Sequence, residues 1–103
     1  MNEITKVSDI TVQDCVEYLR IPEVTSSDEA MLNSLIGIAK DFIAKYTGRN
    51  DLDAFQDFVI VVFVLVQDMW DNRTMYVDKS NLNHVIETIL GMHSVNLLPG
   101  ESE

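Results

Sequence analysis

One pair of side chains has the residue types and spacing of a metal site. His84 and Glu87 lie three residues apart, so on a helix their imidazole and carboxylate would share one face. Zinc and similar ions need at least three protein ligands. No third ligand follows at matching spacing, because His93 comes after Gly91, where the helix is expected to end. We interpret both residues as solvated polar positions, and we predict neither a metal nor a cofactor.

The other residues that could carry out catalysis have simpler explanations. Asp68 and Asp71 form a carboxylate pair at helical spacing, but paired acids on an exposed helix are usually just solvated. Cys15 falls on the apolar face of a predicted helix, which favours a buried thiol over a nucleophile. The sequence contains no glycine-rich phosphate loop, serine-centred elbow or metal-spaced cysteine set. These observations predict that the protein is not an enzyme.

Two arginines stand at predicted helix ends. Arg49 follows the helix stop formed by Thr47 and Gly48, and Arg73 ends the run that begins at Asp68. A cation at this position can neutralise the free carbonyls of its helix, and we favour that interpretation. The alternative is that Arg49 or Arg73 reaches an acidic neighbour, within or between subunits, as a bidentate ion pair.

Composition limits the classes of partner. The chain has 103 residues, a size typical of one domain, and 47% of them are apolar, which excludes wholesale disorder. Its 17 acidic and 7 basic residues give a net charge of −10, which argues against a phosphate-binding surface or a polybasic membrane anchor. The longest apolar run, residues 58–66, is nine residues long, whereas a membrane span needs about 20. We therefore predict no membrane partner.

Hydrophobic periodicity predicts an all-α fold. The expected structure is a small four-helix bundle-like domain that spans residues 1–103 and has a partly extended C-terminal tail. Its helices are predicted at about residues 11–20, 27–47, 53–72 and 81–91.

Capping residues support the first two helices. Thr11 can cap the first helix, with Asp14 in its first turn. Ser26 and Glu29 have the spacing of a capping box at the start of the second helix. Gly48 supplies the left-handed residue that ends it.

The third helix competes with a strand, because residues 58–66 are rich in β-branched side chains. Gln56 and Asp57 precede Gln67 and Asp68 by eleven residues, which is almost three helical turns. A helix places both pairs on one face, whereas a strand would split each pair between two faces. We therefore predict a helix.

The middle of this helix is apolar on every side. Ile60 and Val64 lie on the face opposite the obvious core residues, and a helix that is apolar all round is buried on more than one side. One hypothesis is that a neighbouring subunit covers Ile60 and Val64. The favoured alternative is that the first and fourth helices cover them.

Ser80 or Asn81 can cap the fourth helix, which is expected to end at Gly91. The tail that follows is unusually apolar, and we expect it to dock onto the core or onto a partner. Its aliphatic residues are Val95, Leu97 and Leu98.

Three segments follow one another along the predicted helices, and they are IAKDFIAKYTGR at residues 38–49, MWDNR at 69–73 and IETILGMH at 86–93. In their order and spacing the chain resembles the small head–tail connector proteins (adaptor or head-completion proteins) of tailed bacteriophages. The most specific parts are the helix stop at residues 46–49 and the helix end at 71–73. Trp70 departs from the pattern, in which a tyrosine is common. The resemblance covers about residues 10–98.

The resemblance implies a structural virion protein, made in the host cytoplasm and located at the head–tail interface. Such proteins assemble into a ring, typically of twelve subunits, beneath the portal protein and carry a stopper or tail-joining protein. DNA passes through the ring without specific binding, and acidic residues facing the channel would repel its phosphates. We assign Ile60, Val64, Arg49 and Arg73 to the candidate subunit interface. Candidate portal or stopper docking residues are Thr74, Met75, Tyr76, Val95, Leu97 and Leu98.

One alternative comes from a different class of function. An acidic inhibitor could mimic DNA and bind a basic host protein, but a mimic needs its carboxylates arrayed along one surface. The acids of this chain are scattered over loops and all four predicted helices, which gives the alternative little support. A small metal-dependent enzyme would rest on His84 and Glu87 alone.

Overall fold

A computed structural model describes residues 6–77 and 82–94. The all-α prediction is confirmed, and the described residues contain no strand. The four α-helices are α1 (Val12–Leu19), α2 (Ser26–Thr47), α3 (Asp57–Asn72) and α4 (His84–His93). Two short 3₁₀ helices, Val7–Asp9 and Leu52–Ala54, precede α1 and α3.

Three of the four described α-helices, α1, α2 and α4, begin at side-chain caps. Thr11 and Asp14 form a complete capping box at α1, as predicted for these two residues. At α2 the prediction was one residue late, because the box is formed by Thr25 and Asp28 rather than by Ser26 and Glu29. Both pairs fit the sequence pattern, and the shorter aspartate carboxylate closes the same ring of hydrogen bonds.

Left-handed residues end the first three α-helices. Gly48 has a φ of 71° after α2, as predicted, whereas Arg20 and Arg73 have φ values of 58° and 54° after α1 and α3. A side chain at such a φ is strained, because Cβ approaches the following carbonyl oxygen. Each of these two arginines therefore weakens its helix end relative to a glycine.

This strain predicts that Arg20→Gly stabilises the protein. Arg20 is exposed, and its backbone N–H closes the end of α1 on the carbonyls of Val16 and Glu17, a bond that glycine keeps. The relief of about 1 to 2 kcal/mol is offset in part by the greater freedom of glycine in the unfolded chain. We expect a net gain of about 0.5 to 1 kcal/mol in urea unfolding. Arg20→Ala, which keeps a Cβ, is the control, and an equal gain there would contradict this account.

The core forms between α2 and α3, and both α1 and α4 pack against this central pair. Helix α2 contributes five buried apolar residues and α3 contributes eight. Helix α4 contributes Ile86 and Leu90, and α1 contributes Cys15. None of the described helices is long and apolar enough to cross a membrane.

Helix α3 confirms the choice of helix over strand, but it begins at Asp57, four residues later than predicted. The turn before α3 is bonded to the N-terminal 3₁₀ helix instead of continuing α3. Ser8 donates from its N–H and its hydroxyl to the Asp53 carboxylate at 2.9 and 2.7 Å. The hydroxyl bond, followed by the N–H bond, lowers the pKa of Asp53 below its usual value. This contact keeps residues 52–54 in a separate 3₁₀ helix.

Helix α4 differs from its prediction at both ends. Asn83 caps it, so it begins after residue 81, and the predicted caps Ser80 and Asn81 lie outside the described residues. It does not end at Gly91 but continues to His93. Contacts of His93 with the rest of the chain hold this last turn in place.

Candidate functional site

The residues whose types suggested chemistry do not gather into a reactive centre. His84 Nδ1 and Glu87 Oε1 are 4.0 Å apart, and the imidazole is 94% exposed. Residues 6–77 and 82–94 contain no group of three or more His, Cys, Asp or Glu that could hold a metal ion. Cys15 is buried, as predicted, and burial raises the pKa of its thiol to about 12. The thiol is therefore protonated near neutral pH and is a poor nucleophile.

Ile60 is the most prominent apolar residue on α3 that the fold leaves uncovered, with 60% of its surface exposed. It lies one turn from Phe63, whose ring stacks on Tyr18 of α1 at 5.0 Å. It also lies one turn from Val64, which is half-buried against the core. Helices α1 and α4 therefore flank an open strip of α3. The favoured prediction that they cover both residues is wrong for Ile60 and holds in part for Val64.

Beside this strip lies a cavity of about 280 Å³ between α3 and the start of α4. Its apolar side includes Val64, Leu82 and Ile86, and its polar side includes Asp68 and Asp71. The two carboxylates line this mixed surface and are both exposed, consistent with their interpretation as solvated acids.

A cluster that we call the α4 clasp joins the end of α4 to the connection between α2 and α3. It consists of Arg49, Phe55, Asp57, Phe58 and His93. His93 Nε2 lies 2.9 Å from Asp57 Oδ2, and the imidazole packs on the rings of Phe55 and Phe58 at 4.2 and 5.1 Å. Arg49 Nε donates to the His93 carbonyl at 2.5 Å.

Arg49 combines the two roles that the sequence left open. It does neutralise a helix-end carbonyl, but that carbonyl belongs to α4 rather than to α2, the helix that Arg49 follows. It also reaches an acid, because its Nη1 lies 3.2 Å from Asp51 Oδ2, and its guanidinium stands 4.7 Å from the centre of the Phe55 ring. The ion pair uses one guanidinium nitrogen and is therefore not a bidentate fork.

The His93 hydrogen bond lowers the pKa of Asp57 below its usual value, while partial burial opposes this effect. Asp57 is the first residue of α3, where the helix dipole also favours a carboxylate. A carboxyl whose pKa falls on folding stabilises the protein above its unfolded pKa, about 3.9, and that contribution is lost as pH falls through the folded pKa.

Asp57→Asn should therefore remove part of the acid sensitivity of folding. The asparagine keeps an acceptor for His93 but carries no charge, so the variant should be less stable than the natural chain at about pH 6 and closer to it in stability at about pH 2.5. We expect a difference of about 0.5 kcal/mol at the higher pH, because the carboxylate is 42% exposed and solvent screens it. Urea unfolding at both pH values measures the change.

Asp41→Asn is the matched control for this prediction. Asp41 pairs with Lys45 at 2.9 Å on the surface of α2, with 61% of its side chain exposed. Its removal should leave the pH dependence close to that of the natural chain. If the stabilities of Asp57→Asn and Asp41→Asn change with pH in the same way, Asp57 does not contribute to the acid sensitivity of folding.

A second surface is a groove between α2 and the residues that follow α3, with a volume of about 360 Å³. We call it the tyrosine groove. Asp41 and Lys45, which pair with each other, also line it. Tyr46, Met75 and Tyr76 are 37%, 53% and 62% exposed, so the groove presents apolar and aromatic surface to solvent. Its apolar and aromatic lining consists of Ile38, Phe42, Tyr46, Met75, Tyr76 and Val77.

The four residues assigned to a subunit interface do not form one patch. Ile60 and Val64 are neighbours on α3, but Arg49 and Arg73 lie towards opposite ends of this helix, which is about 24 Å long. Arg49 is engaged in the α4 clasp. Arg73 is exposed, and its guanidinium stacks 4.5 Å from the Trp70 ring centre.

The predicted docking residues divide in the same way. Thr74 is half-buried, whereas Met75 and Tyr76 are exposed along the tyrosine groove. The other predicted docking residues lie outside the described part of the chain, and they are Val95, Leu97 and Leu98.

Several surface and clasp residues were missed from sequence. Val85 and Met92 are 62% and 66% exposed on α4, and their seven-residue spacing, two helical turns, could have indicated one face. The contact between His93 and Asp57 had no such signal, because it joins residues 36 positions apart.

Comparison of the chain with protein-family models, with curated proteins and with solved structures gave no match.

Proposed function

We propose that this protein is a head–tail connector of a tailed bacteriophage, a structural virion protein that forms a ring beneath the portal. The observation that carries the proposal is where the two most specific segments of the resemblance fall in the fold. Residues 46–49 and 71–73 form the ends of α2 and α3, each closed by a left-handed residue. A resemblance made of helix ends is supported when its residues do end helices, and these are the two central helices of the fold.

Ring contacts are proposed to centre on Ile60. An isolated exposed isoleucine is common, but this one occupies the open strip of a helix whose other apolar residues are buried or half-buried. A side chain that two neighbouring helices leave open is well placed to contact a neighbouring subunit. Val64 contributes less, because it is already half-buried against the core, and Arg49 already bonds within the chain.

Contacts with the portal or the stopper are proposed to involve the tyrosine groove. Met75 and Tyr76 follow the left-handed end of α3 and expose more than half of their surfaces. Methionine and tyrosine are both enriched at protein interfaces. The assignment of residues 95–98 to docking stays a prediction, and a truncation that tests it has to follow Ser94, because α4 extends past Gly91.

Electron microscopy of purified portal particles mixed with this protein tests the proposal. We expect a ring of added density on the portal, with one copy of this chain for each portal subunit by mass. Particles that remain bare at saturating protein would contradict it. Stoichiometric binding to a basic DNA-binding protein instead would favour the acidic-inhibitor alternative.

Salt dependence separates the same two functions. Copies that each carry a charge of −10 repel one another, and salt screens this repulsion over a Debye length that falls from about 30 Å at 0.01 M to about 3 Å at 1 M. Ring formation through apolar contacts should therefore strengthen as salt rises. Binding of an acidic inhibitor to a basic partner should weaken under the same change. Sedimentation at about 0.05 M and about 0.5 M NaCl, with and without the portal, shows whether association strengthens or weakens as salt rises.

A further inference from the structure

We propose that the tyrosine groove binds residues 95–98 of the same chain, which carry Val95, Leu97 and Leu98. The groove exposes apolar and aromatic surface to solvent, and residues 95–98, which lie outside the described residues, include three aliphatic side chains. Within one chain they can cover each other.

The end of α4 lies close to the groove. The carbonyl of His93 accepts a hydrogen bond from Arg49, and Arg49 follows the groove residue Tyr46 by three positions. Ser94, the last residue described before this segment, therefore lies near the end of α2 that carries Tyr46. The α4 clasp fixes this starting point, because it ties His93 to both α2 and α3 through Arg49 and Asp57.

The lengths of the groove and the segment agree. The groove extends along α2 from Ile38 to Tyr46, which is about 12 Å at the helical rise. Four extended residues span about 13 Å. Pro99 favours an extended backbone at Leu98, since a residue before proline is disfavoured in the helical region. In an extended segment Val95 and Leu97 share one side, so both can face the groove together.

This contact has a consequence for assembly, which rests on the proposed function. A portal or stopper that binds at Met75 and Tyr76 would have to displace residues 95–98 first. The free subunit would then keep its docking surface covered until it meets a partner. The contact itself lies within one subunit, so experiments on the free protein test it independently of ring formation.

Engineered cysteines test the contact directly. Tyr76→Cys with Leu97→Cys should form an intrachain disulfide at low micromolar concentration, which requires the two Cα atoms to approach within about 7 Å. The buried Cys15 does not compete. Ile60→Cys with Leu97→Cys is the control, because Ile60 is equally exposed and lies one turn from Asp57, the partner of His93. We expect the first pair to close at least tenfold faster than the control.

Two outcomes would overturn the proposal. Equal closure rates would mean that residues 95–98 have no preferred site, and predominantly interchain disulfides would mean that the groove takes the segment of a second copy. A measurement without engineered cysteines checks the result. Leu97→Asp should raise the rate at which peroxide oxidises Met75 several-fold, with the exposed Met92 as internal reference. An unchanged ratio of the two rates would also refute the contact.

Discussion

Ile60→Asp should abolish ring assembly on the portal at concentrations where the natural chain assembles, and the subunit should stay folded. Because Ile60 is 60% exposed in the single chain, an aspartate there remains hydrated and leaves the core intact. In the ring the same carboxylate would be buried without a partner, which costs about 2 kcal/mol or more at each contact.

The effect is large because a closed ring repeats its contact. A loss of about 2 kcal/mol weakens one contact by about 30-fold, and a ring closes only when every contact forms. Rings of the variant should therefore be absent below a threshold subunit concentration that is much higher than for the natural chain, rather than decrease gradually in number. Electron microscopy of portal particles at increasing subunit concentration measures this threshold, and circular dichroism confirms that the variant is helical.

Val85→Asp is the matched control for Ile60→Asp. Val85 is 62% exposed on α4, so the substitution adds the same charge to a side chain of similar exposure on another helix. Rings should form with this control and fail with Ile60→Asp. Val64→Asp is a poorer test, because Val64 is half-buried and its replacement would disturb packing against the core. If Ile60→Asp assembles as well as the control, Ile60 is not at a ring contact.

Local patterns were enough to predict the helices of this protein but not their limits. The eleven-residue spacing of polar pairs identified α3, because it depends only on helical periodicity. The start of α3 depends on Ser8, which holds Asp53 from 45 positions away in sequence. The end of α4 depends on Asp57 and Arg49, which hold His93 from 36 and 44 positions away. No local pattern reports such contacts.

The surfaces show the same division. Sequence periodicity singled out Ile60 and Val64 as apolar residues opposite the core, which is correct for Ile60 but not for Val64, because Val64 is half-buried against the core. This difference depends on how α1 and α4 flank α3. Arg49 was identified as a helix-end cation, yet the carbonyl that it bonds belongs to another helix. Residue type and spacing indicate which side chains need a partner, and only the packing of helices decides which partner they find.

Phe58→Ala should cost more stability than any other substitution proposed for this protein. Phe58 is fully buried, and its ring meets Phe55 and His93 edge-on at 5.4 and 5.1 Å. It therefore supports both the core of α3 and the α4 clasp. Truncation of a buried phenylalanine costs about 3 to 5 kcal/mol, because apolar contact is lost and a cavity remains. Domains of this size have about 5 to 15 kcal/mol of stability in total, so urea unfolding should show a loss of about a fifth or more.

Phe58→Leu and Phe55→Ala separate the two contributions of this ring. Phe58→Leu keeps most of the volume but not the aromatic contact with His93, and we expect a cost of about 1 to 1.5 kcal/mol. Phe55→Ala removes a half-buried ring that packs on His93 and Arg49, so it should weaken the clasp with a smaller loss of stability from the core.

Amide hydrogen exchange tests whether Phe58 also holds α4 to α3. In Phe58→Ala the exchange rates of the α4 amides should rise, relative to the natural chain, by a larger factor than those of amides at the middle of α2. A Phe58→Ala variant within about 1 kcal/mol of the natural chain would mean that α4 does not depend on this ring.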